Sequence, residues 1–593
     1  MVAKVTHTFA MSCSLMLFNS ITTTPGKAQL PQNNSPSLGS LGRVQDVQPP
    51  TKTQSTPPSP APQLPPPSQL LQPDKGLPTL EQPLPEIPYT FTVKQFEVVG
   101  STVFSQKKLN QVLKDFINKP ITFAQLLEAR SKITELYNQK GYITSEAYIP
   151  EQTFTDGIVR IQVIEGKLED IQVTGTRRLN PNYIRSRIPN GASTPLNQKR
   201  LLQSLQLLQL NPLIKSLSAE LFAGSRTDTS LLAIKVTEAD TFNTKIVLDN
   251  RPPPDSGSFR RQLQVKESNL LGIGDSISLA YSNTDGSNAI DASYSLPLNP
   301  HNGTLIFRYG NRPANIIEYP FNILDIESTR QRYELTFRQP LLQTPNQEFA
   351  LGITAYHRES KISSSFLEEF GFSPSVLSLG ADVQGRTRVS ALRFFQEWIS
   401  RNSQEVIAAR SQFSLGIDAF NATINDTAPD SRFFAWRGQA QWVRLLAPDT
   451  LLLIRGDVQL ASTTLLDSEK FGLGGVNSVR RFRQDFLLTD NGALASAELR
   501  LPILYVHSWK GVLQVTPFVD VGTAWSNSSN RDEINIINTK TNTLAAVGLG
   551  LRWLQGNNFT AAVEWGIPFV SVNTSGNTWQ ENGLYFFVQY DLF

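Results

Sequence analysis

Leu452-Leu453-Ile454-Arg455-Gly456-Asp457-Val458-Gln459-Leu460 alternates two kinds of residue. Leu452, Ile454, Gly456, Val458 and Leu460 form an apolar row, opposed by Arg455, Asp457 and Gln459. Successive side chains of a β-strand point to opposite faces, so this stretch reads as a strand with one oily and one charged side. The pattern recurs. Ala493, Ala495, Ala497, Leu499 and Leu501 oppose Ser496, Glu498 and Arg500; Ala561, Val563, Trp565 and Ile567 oppose Glu564; Leu305, Phe307 and Tyr309 oppose Arg308. A soluble sandwich also alternates, but its polar faces do not gather charge so regularly. A lipid-facing exterior around a polar lumen accounts for both rows. Residues 239–593 show strands and turns only, about 350 residues at roughly 20–24 per strand and turn, which gives about 14–18 strands. The expected fold is a transmembrane β-barrel of about 16 antiparallel strands. Trp436, Trp442, Trp525, Trp553 and Trp565 near strand ends fit the aromatic girdles of a membrane interface.

Composition agrees. Charged residues make up 18% of the 593 and hydrophobic ones 40%. No internal run approaches the ~20 apolar residues of a membrane helix, whereas a barrel hides its apolarity in alternation. The net charge of +3 and the lack of a basic tract argue against a nucleic-acid partner. Residues 1–28 read as a signal peptide, with Lys4, an apolar core from Phe9 to Phe18, and Gly26-Lys27-Ala28 for cleavage. Cys13, the only cysteine, lies inside it, so the exported chain has no thiol chemistry. Residues 29–88 hold sixteen of the 38 prolines and read as an extended linker.

Between linker and barrel the periodicity mixes. In 89–166, an alternating segment from Phe91 is followed by a helix capped by Ser105. A second helix, capped by Thr122 and closed by Gly141, buries Leu126, Ala129, Ile133 and Leu136. Strands at Ile143–Ile149 and Ile158–Ile164 complete a β-α-α-β-β unit. Residues 167–238 repeat the order, which predicts a second copy of one small α+β domain.

Enzyme signatures are missing: there is no Walker loop, His-Glu-x-x-His or Cys-x-x-Cys. No catalytic residue, metal or cofactor is expected. Gly472-Leu473-Gly474-Gly475 reads as a flexible hinge. After it comes Ser478-Val479-Arg480-Arg481-Phe482, and some forty residues on lies Phe518-Val519-Asp520-Val521-Gly522. Val519 and Val521 suit lipid, so Phe518, Asp520 and Gly522 should face the lumen. A lumenal carboxylate needs a partner, and a loop arginine folded inward supplies a bidentate one.

These two motifs, with two POTRA-like domains and a C-terminal barrel, resemble the two-partner secretion transporters, the TpsB family of haemolysin and filamentous-haemagglutinin secretion pores. Thr194-Pro195-Leu196-Asn197, Leu271-Gly272-Ile273-Gly274-Asp275 and Tyr294-Ser295-Leu296-Pro297-Leu298 add to the likeness. The resemblance implies an outer-membrane transporter with periplasmic POTRA domains that secretes an unfolded TpsA-like partner without ATP. It also implies a lumenal loop motif of Val479, Arg480 and Phe482 meeting Phe518, Asp520 and Gly522 on the wall. The bland alternative is that Arg480 and Asp520 only brace the barrel. One departure is Arg481, where the family has Gly; if that position needs a positive φ, Arg481 is strained. The client would add a strand to a POTRA sheet edge, with Val159–Ile164 and Leu231–Val236 the candidate edges. The last strand, from Leu584 to Phe593, would be read by the barrel-assembly machinery. Other readings are a barrel-assembly insertase, which usually carries more POTRA copies, and a passive porin.

Overall fold

The computed structural model describes residues 90–153, 156–188, 194–319, 321–527, 542–569 and 578–592, with the backbone of Leu71–Pro73. The expected signal peptide at 1–28, nearly all of the 29–88 linker and Phe593 lie outside the described residues.

Sixteen strands, from Phe242–Asp249 to Leu584–Asp591, form a closed barrel in which each pairs antiparallel with its neighbour in sequence. The ring closes where Lys245 to Asp249 pair with Asp591 to Phe587. The alternation read from sequence sorts the two faces. Val519 and Val521 are 46% and 45% exposed on the outside, while Phe518 and Asp520 are 3% and 0% exposed within. Leu279, Phe307, Leu335, Leu415 and Leu549 join the outer, lipid-facing surface, and Arg332, Glu397, Arg437, Asp457 and Glu498 are buried in the lumen. Connections differ in length at the two ends. One end has short turns such as 402–404 and 448–449, and the other carries long ones at 365–385 and 462–490. Short periplasmic turns and long outer loops are the usual polarity of such barrels.

Before the barrel stand two small sheets with helices. In the first, Ile158–Ile164 lies between Gln95–Val99 (parallel) and Glu146–Tyr148 (antiparallel). Helix Phe123–Gln139 starts at Thr122 with a capping box, Thr122 and Gln125 satisfying each other's backbone N–H. Ser105 occupies the N-cap position of helix Gln106–Leu113, but its side chain makes no capping bond. In the second sheet, Thr229–Glu238 lies between Lys167–Thr174 and Ile214–Ala223, and the backbone of Leu71–Pro73 runs parallel along Ala219–Leu221. Both strands expected as docking edges are therefore central ones. Each shows a buried alternate row, Val159, Ile161 and Val163 in one and Leu232, Ile234 and Val236 in the other, which marks a strand packed on a core but does not say whether both its edges are paired.

Asn197 joins the two small domains: its side chain caps helix Gln198–Gln209 and donates to the Lys140 carbonyl at 3.1 Å. The second domain meets the barrel at turn 268–275. Asn180 N–H donates to the Gly272 carbonyl at 2.7 Å, and Arg178 reaches Glu267 at 3.1 Å. Gly272 has φ +82° and no room for a side chain against the Arg178 carbonyl, so glycine is required there. This contact puts the short-turn end of the barrel beside the soluble domains.

Candidate functional site

Residues 462–490 join strands Thr450–Ala461 and Asn491–Val506 at the long-loop end. They fold back into the lumen rather than outward. A two-stranded hairpin, Phe471–Leu473 with Leu487–Thr489, holds the loop's base. Gly472, expected in a flexible hinge, is a paired strand residue; Gly474 and Gly475 take φ +115° and +97° at the strand's end.

Beyond them Arg480 is 2% exposed at the wall. Its Nε donates to Asp520 Oδ2 at 2.8 Å and its Nη2 to Asp520 Oδ1 at 3.0 Å, a bidentate fork. Its own backbone N–H adds a third bond to Asp520 Oδ2 at 3.1 Å. Nη1 reaches Glu498 Oε2 at 2.6 Å and Glu564 Oε2 at 3.4 Å. The guanidinium plane sits 3.5 Å from the centre of the Phe518 ring, a cation–π contact. One arginine thus ties three wall strands, Asn491–Val506, Gly511–Trp525 and Phe559–Pro568, to the loop. Asp520 also accepts from Ser496 Oγ at 2.7 Å, and Glu498 from Arg500 at 2.8 Å. Such a cluster is stable while complete, since taking away one partner strands a buried charge at a cost of about 3–5 kcal/mol.

Apolar packing seats the rest of the tip. Val479 and Phe482, 0% and 3% exposed, cluster with Phe471, Leu473, Leu494 and Leu544. Tyr585 OH donates to the Phe482 carbonyl. Gly522 leaves the space that Leu473 occupies, and a methyl there would overlap it. Arg481 has φ +104°, a conformation that costs an L-residue with a side chain of the order of 1–2 kcal/mol. It is accommodated because Gly566 and Gly583 beside it have no side chains.

All six motif residues thus meet in one place, and the sequence pointed to others there without assigning them. Glu498, Glu564 and Ser496 face inward by alternation, yet that Ser496 stands opposite Asp520 depends on strand register, which alternation does not fix. The loop's other anchors carried no sequence signal. Arg483 pairs with Glu318 at 2.8 Å across to loop 316–325, and Glu469 pairs with Arg393 at 2.9 Å on strand Arg386–Arg401.

Two family models match the chain. The model for the ShlB-type POTRA domain matches residues 91–166, and that for haemolysin secretion/activation protein ShlB/FhaC/HecB matches residues 228–553. The heme/hemopexin transporter protein HuxB of Haemophilus influenzae is 22% identical over 500 residues, spanning 81% of this chain and 84% of that protein. The outer membrane transporter CdiB of Escherichia coli is 22% identical over 498 residues, spanning 81% and 79%. The solved structure of CdiB from Escherichia coli superposes with a TM-score of 0.64 at 19% identity, covering 87% of this chain and 94% of that one.

Proposed function

The chain belongs to the haemolysin secretion/activation protein family ShlB/FhaC/HecB, an outer-membrane transporter of two-partner secretion with POTRA domains in the periplasm, and from that premise we propose how its parts share the work. Such transporters handle a secreted TpsA-like partner. That partner arrives unfolded and adds a strand to an exposed POTRA edge, where main-chain pairing suits any extended sequence. Ile214–Ala223 is the longest edge, and the chain's own Leu71–Pro73 backbone pairs along three of its ten residues, so the edge does accept an added strand. The client then threads the lumen while the Arg480 tip leaves Asp520, and folding of the client outside draws it through without ATP. The strand Leu584–Asp591 and the final Phe593 serve as the signal that the barrel-assembly machinery reads.

The observation that carries the gate is the seat of Arg480. A purely structural brace would join wall strand to wall strand; this one hangs on a loop, and its release would withdraw the tip without unpairing any barrel strand. The insertase reading loses ground to the family match, and a passive porin needs neither POTRA domains nor an ion-paired tip. Arg480→Ala is expected to cut secretion of the partner at least tenfold while the barrel inserts at its normal level. The partner is assayed in the medium and the barrel by its heat-shifted gel migration. Normal secretion would remove the gating role.

A further inference from the structure

Away from the Arg480 cluster, the long-loop end of the lumen holds a small cavity lined by Arg260, Arg312, Arg330, Ser282, Thr284 and Ser287. The charged side chains that line it are all arginines, with Asp249 and Asp291 paired to Arg260 and Arg312, and with Asp255, Asp467 and Asp485 acting on Arg330 from farther off. Arg312 and Arg330 stand directly opposite each other on strands Thr304–Asn315 and Ile326–Gln343, where like charges repel. Arg312 lies 3.8 Å from Asp291, but among the described residues Arg330 has no carboxylate within ion-pair distance. Arg260 is 2% exposed; one terminal nitrogen pairs with Asp249, while its Nε and Nη1 are buried with no hydrogen-bond partner among the described residues. Ser282 Oγ is buried in the same condition. Thr284 and Ser287 hydroxyls are fixed by donating to the Ser256 and Pro313 carbonyls at 2.6 and 2.7 Å, which leaves their lone pairs but no proton for a ligand.

Buried donors without acceptors are costly, and guanidinium groups gathered against their own repulsion call for negative charge. A cation is repelled, and a neutral ligand leaves the Arg312–Arg330 repulsion in place. Oxyanions satisfy both demands, because each guanidinium offers paired N–H groups matched to two oxygens of phosphate or carboxylate. We propose that this cavity binds a small oxyanion, held by Arg260 Nε and Nη1, Ser282 Oγ and the Arg330 guanidinium. No residue of the 462–490 loop lines the cavity, although Asp467 and Asp485 of that loop act electrostatically on Arg330. Its occupant comes either from free phosphate or from a carboxylate, the latter including an acidic side chain of a passing client.

Full-length protein in detergent micelles, titrated calorimetrically with inorganic phosphate in chloride buffer, should show saturable binding at one site. Arg330→Gln should weaken it at least tenfold and Arg330→Lys much less, with heat-shifted migration confirming that both variants are folded barrels. Repeating the titration in acetate separates the sources: undiminished phosphate affinity assigns the site to phosphate, and competition by acetate assigns it to carboxylate. Absence of saturable binding by either anion, or unchanged affinity in Arg330→Gln, overturns the proposal.

Discussion

Arg481 holds its positive φ only because its neighbours force it, and that makes it a sensitive probe of the tip. Replacing it with glycine removes strain of about 1 kcal/mol without touching the ion pairs of Arg480. Arg481→Gly should therefore tighten the seat, slowing amide hydrogen exchange across residues 478–484 by about fivefold, which is what 1 kcal/mol amounts to when exchange follows local opening. Unchanged or faster exchange would mean that the Arg481 side chain contributes more than its backbone costs. A second residue, Glu165, governs the first POTRA-like domain. Burial raises its pKa, but hydrogen bonds from Thr102, Tyr137 and the Val103 backbone outweigh that and hold it below the ordinary glutamate value. A depressed carboxylate contributes stability above its unfolded pKa of about 4.3 and loses it as pH falls through the lower folded value. Segment 101–104 should thus lose exchange protection on acidification below about pH 4, and Glu165→Gln should flatten that dependence. A loss of the same size in the Gln variant would place the cause elsewhere.

At the scale of elements, what holds the loop is the fit between a hairpin and a wall that has been left bare. Gly522, Gly566 and Gly583 are places where the wall carries no side chain and the loop comes in close. Sequence marked Gly522 only as one residue of a motif, because a glycine's reason lies in what approaches it, and that partner is distant in the chain. The same limit hid the POTRA edges. Alternating apolar residues revealed Ile158–Ile164 and Thr229–Glu238 as strands, but which strand is central is settled by pairing between segments up to 63 residues apart. Local signals were read more fully. Thr122 and Gln125 form the capping box that their spacing of three allows, and strand faces follow a period of two. Gly522→Ala tests the bare wall. Its methyl meets the Leu473 side chain and pushes on the hairpin base, so a cysteine at position 479 should react with a water-soluble maleimide several-fold faster than in the otherwise native wall. Equal labelling would show that Leu473 simply moves aside.

For the whole molecule, alternation pointed to a membrane barrel, since it needs only the contrast between lipid and water, and the length of the alternating region set the count at about 16 strands. The content of the lumen was out of its reach, because a loop that turns inward and one that turns outward can share a composition. Alternation placed Asp520 in the lumen and in need of a cationic partner, and resemblance to a family named Arg480 as that partner. The loop now spans the lumen by separate anchors: Arg480 on Glu498, Asp520 and Glu564, Arg483 on Glu318, and Glu469 on Arg393. None of these is a backbone bond of the barrel ladder, so the ring does not need the loop in order to close. Replacing residues 470–489 with a short Gly-Ser connection should leave a folded barrel whose single-channel conductance in planar bilayers rises well above that of the intact chain. Secretion by the same variant should fall, because a pore that stays open passes ions but no longer couples its opening to a client. If the loop were a brace, the truncated chain would fail to insert. If instead it inserted with unchanged conductance, the lumen would be occluded by something other than the Arg480 tip.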